Sequence, residues 1–525
     1  MTAAAFLLAL FLSAAPPAPA ADARGAAREA LSHLADEDVD AARTALAPFA
    51  SGEAKDPSVA LALGVLRFHE QRYEESVRLL EQAAAAGLGR DWLEQARAAR
   101  AVTRDHVRAE SAHFVVSHPK GKEEVLVPYL LEALEAQRAA LVQDFGRVPD
   151  GKVVVEVVED TRQLARLSTL TEKEIKTSGT IAICKFGKMI ITSPKALLTG
   201  YDWLDTASHE YVHFVVTRLT DNETPIWIHE GVARWYESRW RGPGGDILSP
   251  WSAALLRDAA RNGKLVTFAE MHPSMAKLPS QEAAALAFAE VAVAVDVMRA
   301  RGGPPAVRGV LERLARGESP EEAVAGALGV PFATFEKEWR KAMAEWPVPP
   351  GGERQMRKLH FQGDPGSYAE WSEIPDEKAR GHARLGEIFR ERGRWEPARQ
   401  EYGKAVRKGG AGAPMLAGRY ALASLMTGRV EDAEKVLAEA LAAHPEAATL
   451  HVQLGRVRLA RQDWAGARES FLLANRTDPF DPEIHAGLAR AAEALGDPAT
   501  ASREKRFAAI LGGGTGAGAG GGRHP

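Results

Sequence analysis

The sequence predicts a multidomain α+β protein in which a mixed central body is flanked by all-α solenoid segments. Three observations predict it. Small residues recur every 34 to 35 positions through residues 380–508, the period of a two-helix solenoid unit. Val-rich runs of alternating polarity between residues 111 and 193, such as HFVVSH, read as strands. Residues 209–240 then read as two helices joined by a short polar turn, and the first opens with His209-Glu210-Tyr211-Val212-His213.

The solenoid segments rest on register. Gly386, Ala421, Gly455 and Ala489 share one position at spacings of 35, 34 and 34. Ala398, Ala433, Ala467 and Ala501 share another, where two helices need a small side chain to approach closely. Ala440 to Pro445 and Ala474 to Pro479 end two units in the same way. Residues 379–510 are therefore expected to be repeats able to fold without the central body. At the other end, Ala42 stands to Ser76 as Leu46 stands to Leu80, 34 residues apart, so residues 26–100 form a shorter block. Both blocks resemble tetratricopeptide repeats, and the resemblance implies concave surfaces for peptides or partner proteins.

In the central body, Glu123 to Phe145 is expected as a long amphipathic helix closed by Gly146 and Pro149. VVVEVVED at 153–160 reads as a second strand. Residues 178–193 read as two strands around Lys185-Phe186-Gly187-Lys188, a hairpin signal. Residues 286–303 are expected as a buried helix, and residues 335–346 as the helix that closes the body at about 108–346. Five prolines among polar residues mark 347–378 as a linker, and the Gly-rich tail at 511–525 cannot bury enough apolar surface to order.

Composition narrows the function. A net charge of −4 with no basic run gives no sign of nucleic-acid binding. The single cysteine, Cys184, excludes an intramolecular disulfide and a Cys-based zinc site. Residues 1–20 carry an apolar run, Pro16-Pro17, and Ala18-Pro19-Ala20 as an A-x-A cleavage site, the shape of a secretory signal. About 13 apolar residues fall short of the roughly 20 that span a bilayer, so no stable membrane span is expected. The mature chain is expected in the periplasm or outside the cell.

The chemistry is concentrated at 209–230. On a helix, His209 and His213 sit one turn apart on one face, where two imidazoles can close on one ion. Glu210 lies too far round the helix to join them and is free to take a proton from water. Thr224-Pro225 reads as a helix start, and the second helix brings Glu230 opposite the histidine pair. Three protein ligands with an open position make a catalytic zinc site. With 15 histidines and 70 acids in 525 residues, chance would supply such a motif in only about 5 per cent of similar chains.

HEYVH followed by PIWIHEGVARWYE is similar to the zinc peptidases called gluzincins, the thermolysin-like group, and to the peptidase-MA-like domains in particular. The resemblance covers about residues 108–346. It implies His209, His213 and Glu230 as ligands to one zinc per chain and Glu210 as the catalytic base. It also implies a mixed sheet whose edge strand receives the substrate backbone, with Lys188 to Ser193 as either that edge or a plain core strand. Asp205 is either a carboxylate supporting a ligand or a charge at the helix N-terminus. Tyr236 and Glu237 read as helix-packing residues. The family often carries a Tyr in an A-Y-x-x-S segment, where this chain has Phe288, leaving Tyr201, Tyr236 and His272 as candidate oxyanion donors. The expected function is an exported zinc metallopeptidase acting on a peptide or protein substrate. The alternative is a repeat-based binding scaffold of the cell envelope with a weakly active or inactive peptidase-like domain.

Overall fold

The computed structural model describes residues 22–50, 55–243, 247–272, 274–275, 278–348, 361, 374, 376–408 and 413–512. The expected signal at 1–20, nearly all of the linker and nearly all of the tail lie outside the described residues. Contacts divide the chain into two compact units at Arg100.

The first unit holds α1 (Ala23–Ala35), α2 (Val39–Leu46), α3 (Pro57–His69), α4 (Tyr73–Ala85) and most of α5 (Arg90–Thr103). Its repeat register has a physical cause at Gly64, where any Cβ would meet Leu80 Cγ at 2.6 Å. Ser76 Oγ donates to the Gly64 carbonyl at 2.7 Å and ties the two helices.

The second unit opens with β1 (Val107–Glu110), β2 (Phe114–His118), α6 (Val127–Phe145), β3 (Val153–Val158), α7 (Thr161–Leu167), α8 (Glu172–Ser178), β4 (Ala182–Lys185) and β5 (Lys188–Thr192). The strand order is β1-β2-β3-β5-β4, parallel across β2-β3-β5 and antiparallel at both ends. The β4-β5 hairpin turns at Phe186 (φ 56°) and Gly187 (φ 69°), the positive pair that a two-residue turn of this twist requires. Of the two readings of Lys188 to Ser193, the plain core strand is the one found. β5 is paired on both sides and fully buried, because it adds in parallel to β3, and β4 is the edge strand on that side.

Helices then follow: α9 (Trp203–Leu219), α10 (Ile226–Tyr236), α11 (Pro250–Arg261), α12 (Phe268–Met271), α13 (Gln281–Leu314), α14 (Pro320–Leu328) and α15 (Phe332–Glu345). α13 is broken at Gly303 (φ 66°), just before Pro304-Pro305. The repeats resume as α16 (Glu377–Glu391), α17 (Trp395–Arg407), α18 (Pro414–Met426), α19 (Val430–Ala443), α20 (Ala448–Ala460), α21 (Trp464–Asn475), α22 (Pro482–Ala494) and α23 (Pro498–Gly512). Among the described residues no helix is long and apolar enough to cross a membrane.

One core cluster runs from Phe114 and Val155 of the sheet through Tyr211, Val291 and Trp339 to Phe471, Leu488 and Phe507. The last two repeats thus share the core of the central body, whereas α16 to α19 build smaller clusters of their own. α20 to α23 thus pack on the central body, which the register alone did not reveal. Register fixes how a repeat is built but not what covers its outer face.

Candidate metal centre

α9 and α10 supply the centre. α9 is buried along most of its length, with Tyr211, Val212, Val215 and Val216 in the core, so the side chains on its remaining face are fixed in direction. Asp221 (φ 48°) and Asn222 (φ 64°) reverse the chain, both types that tolerate this backbone region. The expected cap at Thr224 is not formed. Thr224 Oγ1 donates to Thr220 Oγ1 at 2.8 Å, and Pro225 itself stands at the N-cap. Gly231 lets α10 close on α13, since a Cβ there would lie 2.7 Å from the Val291 carbonyl oxygen.

The two helices bring His209, His213 and Glu230 together. Glu230 Oε2 lies 3.4 Å from His209 Nε2 and 3.2 Å from His213 Nε2. It has no hydrogen-bond partner among the described residues. Candidate donor atoms of all three residues fall within 4.8 Å of one another. Two ligands at tetrahedral angles, each about 2.0–2.1 Å from zinc, stand roughly 3.4 Å apart. The donor set, two imidazole nitrogens and one carboxylate oxygen, therefore fits zinc in both chemistry and spacing.

The electrostatics fit the same picture. Burial alone would lower His209, but the nearby carboxylates of Glu230 and Glu237 outweigh that and push it up to about 10. Burial works against the charge of Glu230 too, yet His213 and His209 hold it well below the ordinary carboxylate range. Glu210 goes the other way, raised by burial although both histidines oppose the rise. The Cys184 backbone on edge strand β4 hydrogen-bonds Glu210, which sets the candidate base beside that strand.

Two residues whose roles the sequence did not reveal support the histidine pair. Glu237 Oε2 lies 3.1 Å from His209 Nδ1, and Glu237 also pairs with Arg234, so it is more than a packing residue. Its position seven residues after Glu230, two turns along one face, was the available signal. His229 stacks on His213, ring centroids 4.3 Å apart at 18°, and its Nε2 lies 3.1 Å from Thr217 Oγ1. Burial and the neighbouring His213 hold His229 down to about 3, as a neutral ring.

The other candidates fall outside the ligand cluster. Asp205 touches neither histidine; it accepts from Trp240 Nε1 at 2.8 Å and from Arg241 Nε at 3.1 Å. Tyr236 is a packing residue, fully buried with its hydroxyl on Arg299. The Tyr201 hydroxyl donates to the Thr192 carbonyl, and burial together with Glu210 raises it above its usual range. His272 is exposed. Phe288 faces the centre, its ring 6.3 Å from that of His209.

A family model for the peptidase MA superfamily matches residues 136–345, and tetratricopeptide repeat models match 27–90 and 424–491. Residues 136–345 are a peptidase MA superfamily domain. Tetratricopeptide repeats flank it on both sides. No curated protein matches the chain. Among solved structures, native yeast LTA4 hydrolase is similar over 76% of this chain and 66% of its own at 9% identity, TM-score 0.32. The first TPR of Spaghetti (RPAP3), bound to an HSP90 peptide, covers 24% of this chain and 98% of its own at 20% identity, TM-score 0.22. MamA MSR-1 covers 26% and 77% at 17% identity, TM-score 0.23.

Proposed function

We propose that the protein is an exported zinc metallopeptidase that hydrolyses peptide bonds, with its repeats engaging protein partners or substrate. The observation that carries this reading is Glu230 Oε2 facing both imidazole Nε2 atoms, at 3.4 Å and 3.2 Å. His209, His213 and Glu230 would hold one zinc ion. When bound, such an ion acidifies water and polarises a carbonyl. With an ion in place of the Nε2 proton, Glu237 would accept a hydrogen bond from His209 Nδ1–H and hold the ring so that its Nε2 lone pair faces the ion. Stacking on His229 fixes the ring plane of His213. Glu210, raised by burial, accepts the proton of the attacking water and returns it to the leaving amine. Edge strand β4, next to Glu210, is the side of the sheet along which an extended peptide is expected to lie.

Metal content by plasma emission tests the ligand roles. His213→Ala and Glu230→Ala are expected to lose zinc, whereas Glu210→Gln keeps it and stops hydrolysis of a peptide library. Equal zinc in wild type and His213→Ala would sink the assignment.

Phe288 favours the second reading, a binding scaffold with a weak enzyme. Its ring faces His209 where the related family often places a phenol, and the Tyr201 and Tyr236 hydroxyls are engaged elsewhere. A lost oxyanion donor costs about 10²–10³ in rate where it has been measured. Phe288→Tyr is expected to raise kcat at unchanged zinc affinity. If both proteins are fully loaded and equally inactive, the scaffold reading replaces the enzyme.

A further inference from the structure

The first turn of the ligand-bearing helix α9 is built against the third C-terminal repeat. Trp203, fully buried, donates its indole Nε1 to the Asn475 carbonyl at 2.9 Å and its backbone N–H to the Arg476 carbonyl at 3.3 Å. Arg476 Nη2 in turn donates to Asp202 Oδ2 at 2.6 Å and to Asp205 Oδ2 at 3.3 Å. Just upstream, Gly200 (φ 63°) passes so close that a Cβ would sit 1.9 Å from the Thr477 carbonyl oxygen. Residues 200–205 thus meet residues 475–477 through backbone, indole and guanidinium together.

Repeat architecture does not ask for an arginine at 476, since the residue 34 positions earlier is Ala442. Nor does the chemistry proposed above use Asp202 or Asp205. Asp205 nonetheless lies one turn before His209, buried, with Arg241 and Trp240 on its other side. Two carboxylates three residues apart at the start of a buried helix repel each other unless cations stand between them.

We propose that Arg476 is a positioning residue for the metal centre. By bridging Asp202 and Asp205 from the C-terminal end of α21 it fixes the first turn of the helix that carries His209, Glu210 and His213. The last two repeats are then part of the active centre as well as a partner-binding surface. The inference rests on the metallopeptidase reading. Because the lever acts on the direction of α9, its effect is expected in ligand geometry before it is seen in overall stability.

The test uses the full chain with Arg476→Met, which keeps the stem and removes the charge, and Arg476→Lys, which keeps the charge. Arg461→Met is the control, since Arg461 pairs with Glu431 and Glu434 within the repeats. Zinc affinity is read by competition with a chromophoric chelator, and hydrogen exchange is followed across 203–213 in the metal-free protein. Arg476→Met is expected to weaken zinc by about 10- to 100-fold, as for other groups that orient metal ligands. It should also speed exchange in 203–209 while α22 and α23 keep their protection. Arg476→Lys should recover part of both effects, and Arg461→Met should match wild type. If Arg476→Met does not fold, a few-fold loss of zinc affinity in Arg476→Lys supports the inference in its place. Wild-type zinc affinity and wild-type exchange in the Arg476 variants would overturn the inference and leave the metallopeptidase reading intact. A wild-type chain that takes up no zinc overturns both, and does so before any variant is compared.

Discussion

The first and last of the four C-terminal repeats carry the same pair of side chains, 19 residues apart, in two different settings. In the first, His382 Nδ1 lies 2.7 Å from Glu401 Oε2, with the two side chains 30% and 12% exposed. In the last, His485 Nδ1 lies 2.7 Å from Glu504 Oε2, and both side chains are wholly buried. His485 Nε2 also meets the Pro479 carbonyl at 2.9 Å, and the ring lies near Tyr129 of α6 and Phe507 of α23. The local chemistry is identical; the cover differs. The first repeat belongs to a small cluster of its own around Tyr402, whereas the last lends Leu488 and Phe507 to the core of the peptidase domain. A repeat register therefore specifies the hairpin and leaves its energetic weight to whatever packs over it.

The largest expected effect follows from that contrast. Removing one partner of a wholly buried hydrogen bond costs about 1–3 kcal/mol, because a polar atom is left buried without that partner. Where solvent can replace the lost partner, as at the part-buried pair of the first repeat, the cost is about 1 kcal/mol or less. His485→Ala is expected to destabilise the central body by the first amount and His382→Ala by the second, as read from denaturant midpoints of the full chain. Equal losses would mean that the shared core does not bear on the last repeat.

How much of this was legible in the sequence depends on the range of the interaction. His209, Glu210, His213 and Glu230 were legible because helical spacing alone brings the first three near one another and one short turn returns the fourth. The hairpin at Phe186-Gly187 and the repeat positions of Gly386 and Gly455 were legible for the same local reason. Gly386 faces Tyr402 and Gly455 faces Phe471, each at 2.7 Å from a would-be Cβ, so the small residue is dictated by the next helix. Which hairpin strand pairs with β3 was not legible, since both are apolar and the choice is made by a strand about 30 residues away. The stacking of His229 on His213 and the docking of Asn475 and Arg476 on α9 were hidden too. Nothing in a window of 34 residues reports a contact across about 270.

The second prediction sharpens the comparison through pH. Glu290 in α13 is buried, and burial pushes its carboxyl up to about 8, although the Val266 backbone N–H at 2.8 Å opposes the rise. Between about pH 4.5 and 8 the folded chain holds a proton that the unfolded chain has lost, so this contribution to stability falls as pH rises. In the first repeat the sign is reversed. Burial opposes ionisation of Glu387 and Glu401, but Arg390 and Tyr402 on the one and Lys404 and His382 on the other outweigh it and hold both low. Their contribution is present above the ordinary carboxylate range and is lost on acidification below it. Glu290→Gln, which keeps the acceptor for Val266, is expected to stabilise the chain at pH 8 by a few kcal/mol at most, read as a higher melting temperature. It should leave the melt near pH 4.5 unchanged. A gain of the same size at both values would show that Glu290 is not protonated in the folded chain.

The smallest effect is expected at the rim of the contact between α6 and α23, where one arginine has a buried end and an exposed end. Arg503 Nη1 reaches Glu132 at 3.0 Å, a carboxylate that is 64% exposed, while its Nε donates at 2.8 Å to the fully buried Glu504. Its guanidinium also lies over the Tyr129 ring, 5.2 Å from the centroid. Glu132→Ala removes only the exposed contact and is expected to cost less than about 0.5 kcal/mol, vanishing in high salt. Arg503→Ala leaves a buried Glu504 oxygen without its donor, which costs roughly 1–3 kcal/mol and is not screened. Denaturant midpoints of the two variants at low and high salt separate these contributions. Should Glu132→Ala cost as much as Arg503→Ala, burial would not be what divides strong contacts from weak ones here. The account given for the paired His–Glu contacts of the first and last repeats would fall with it.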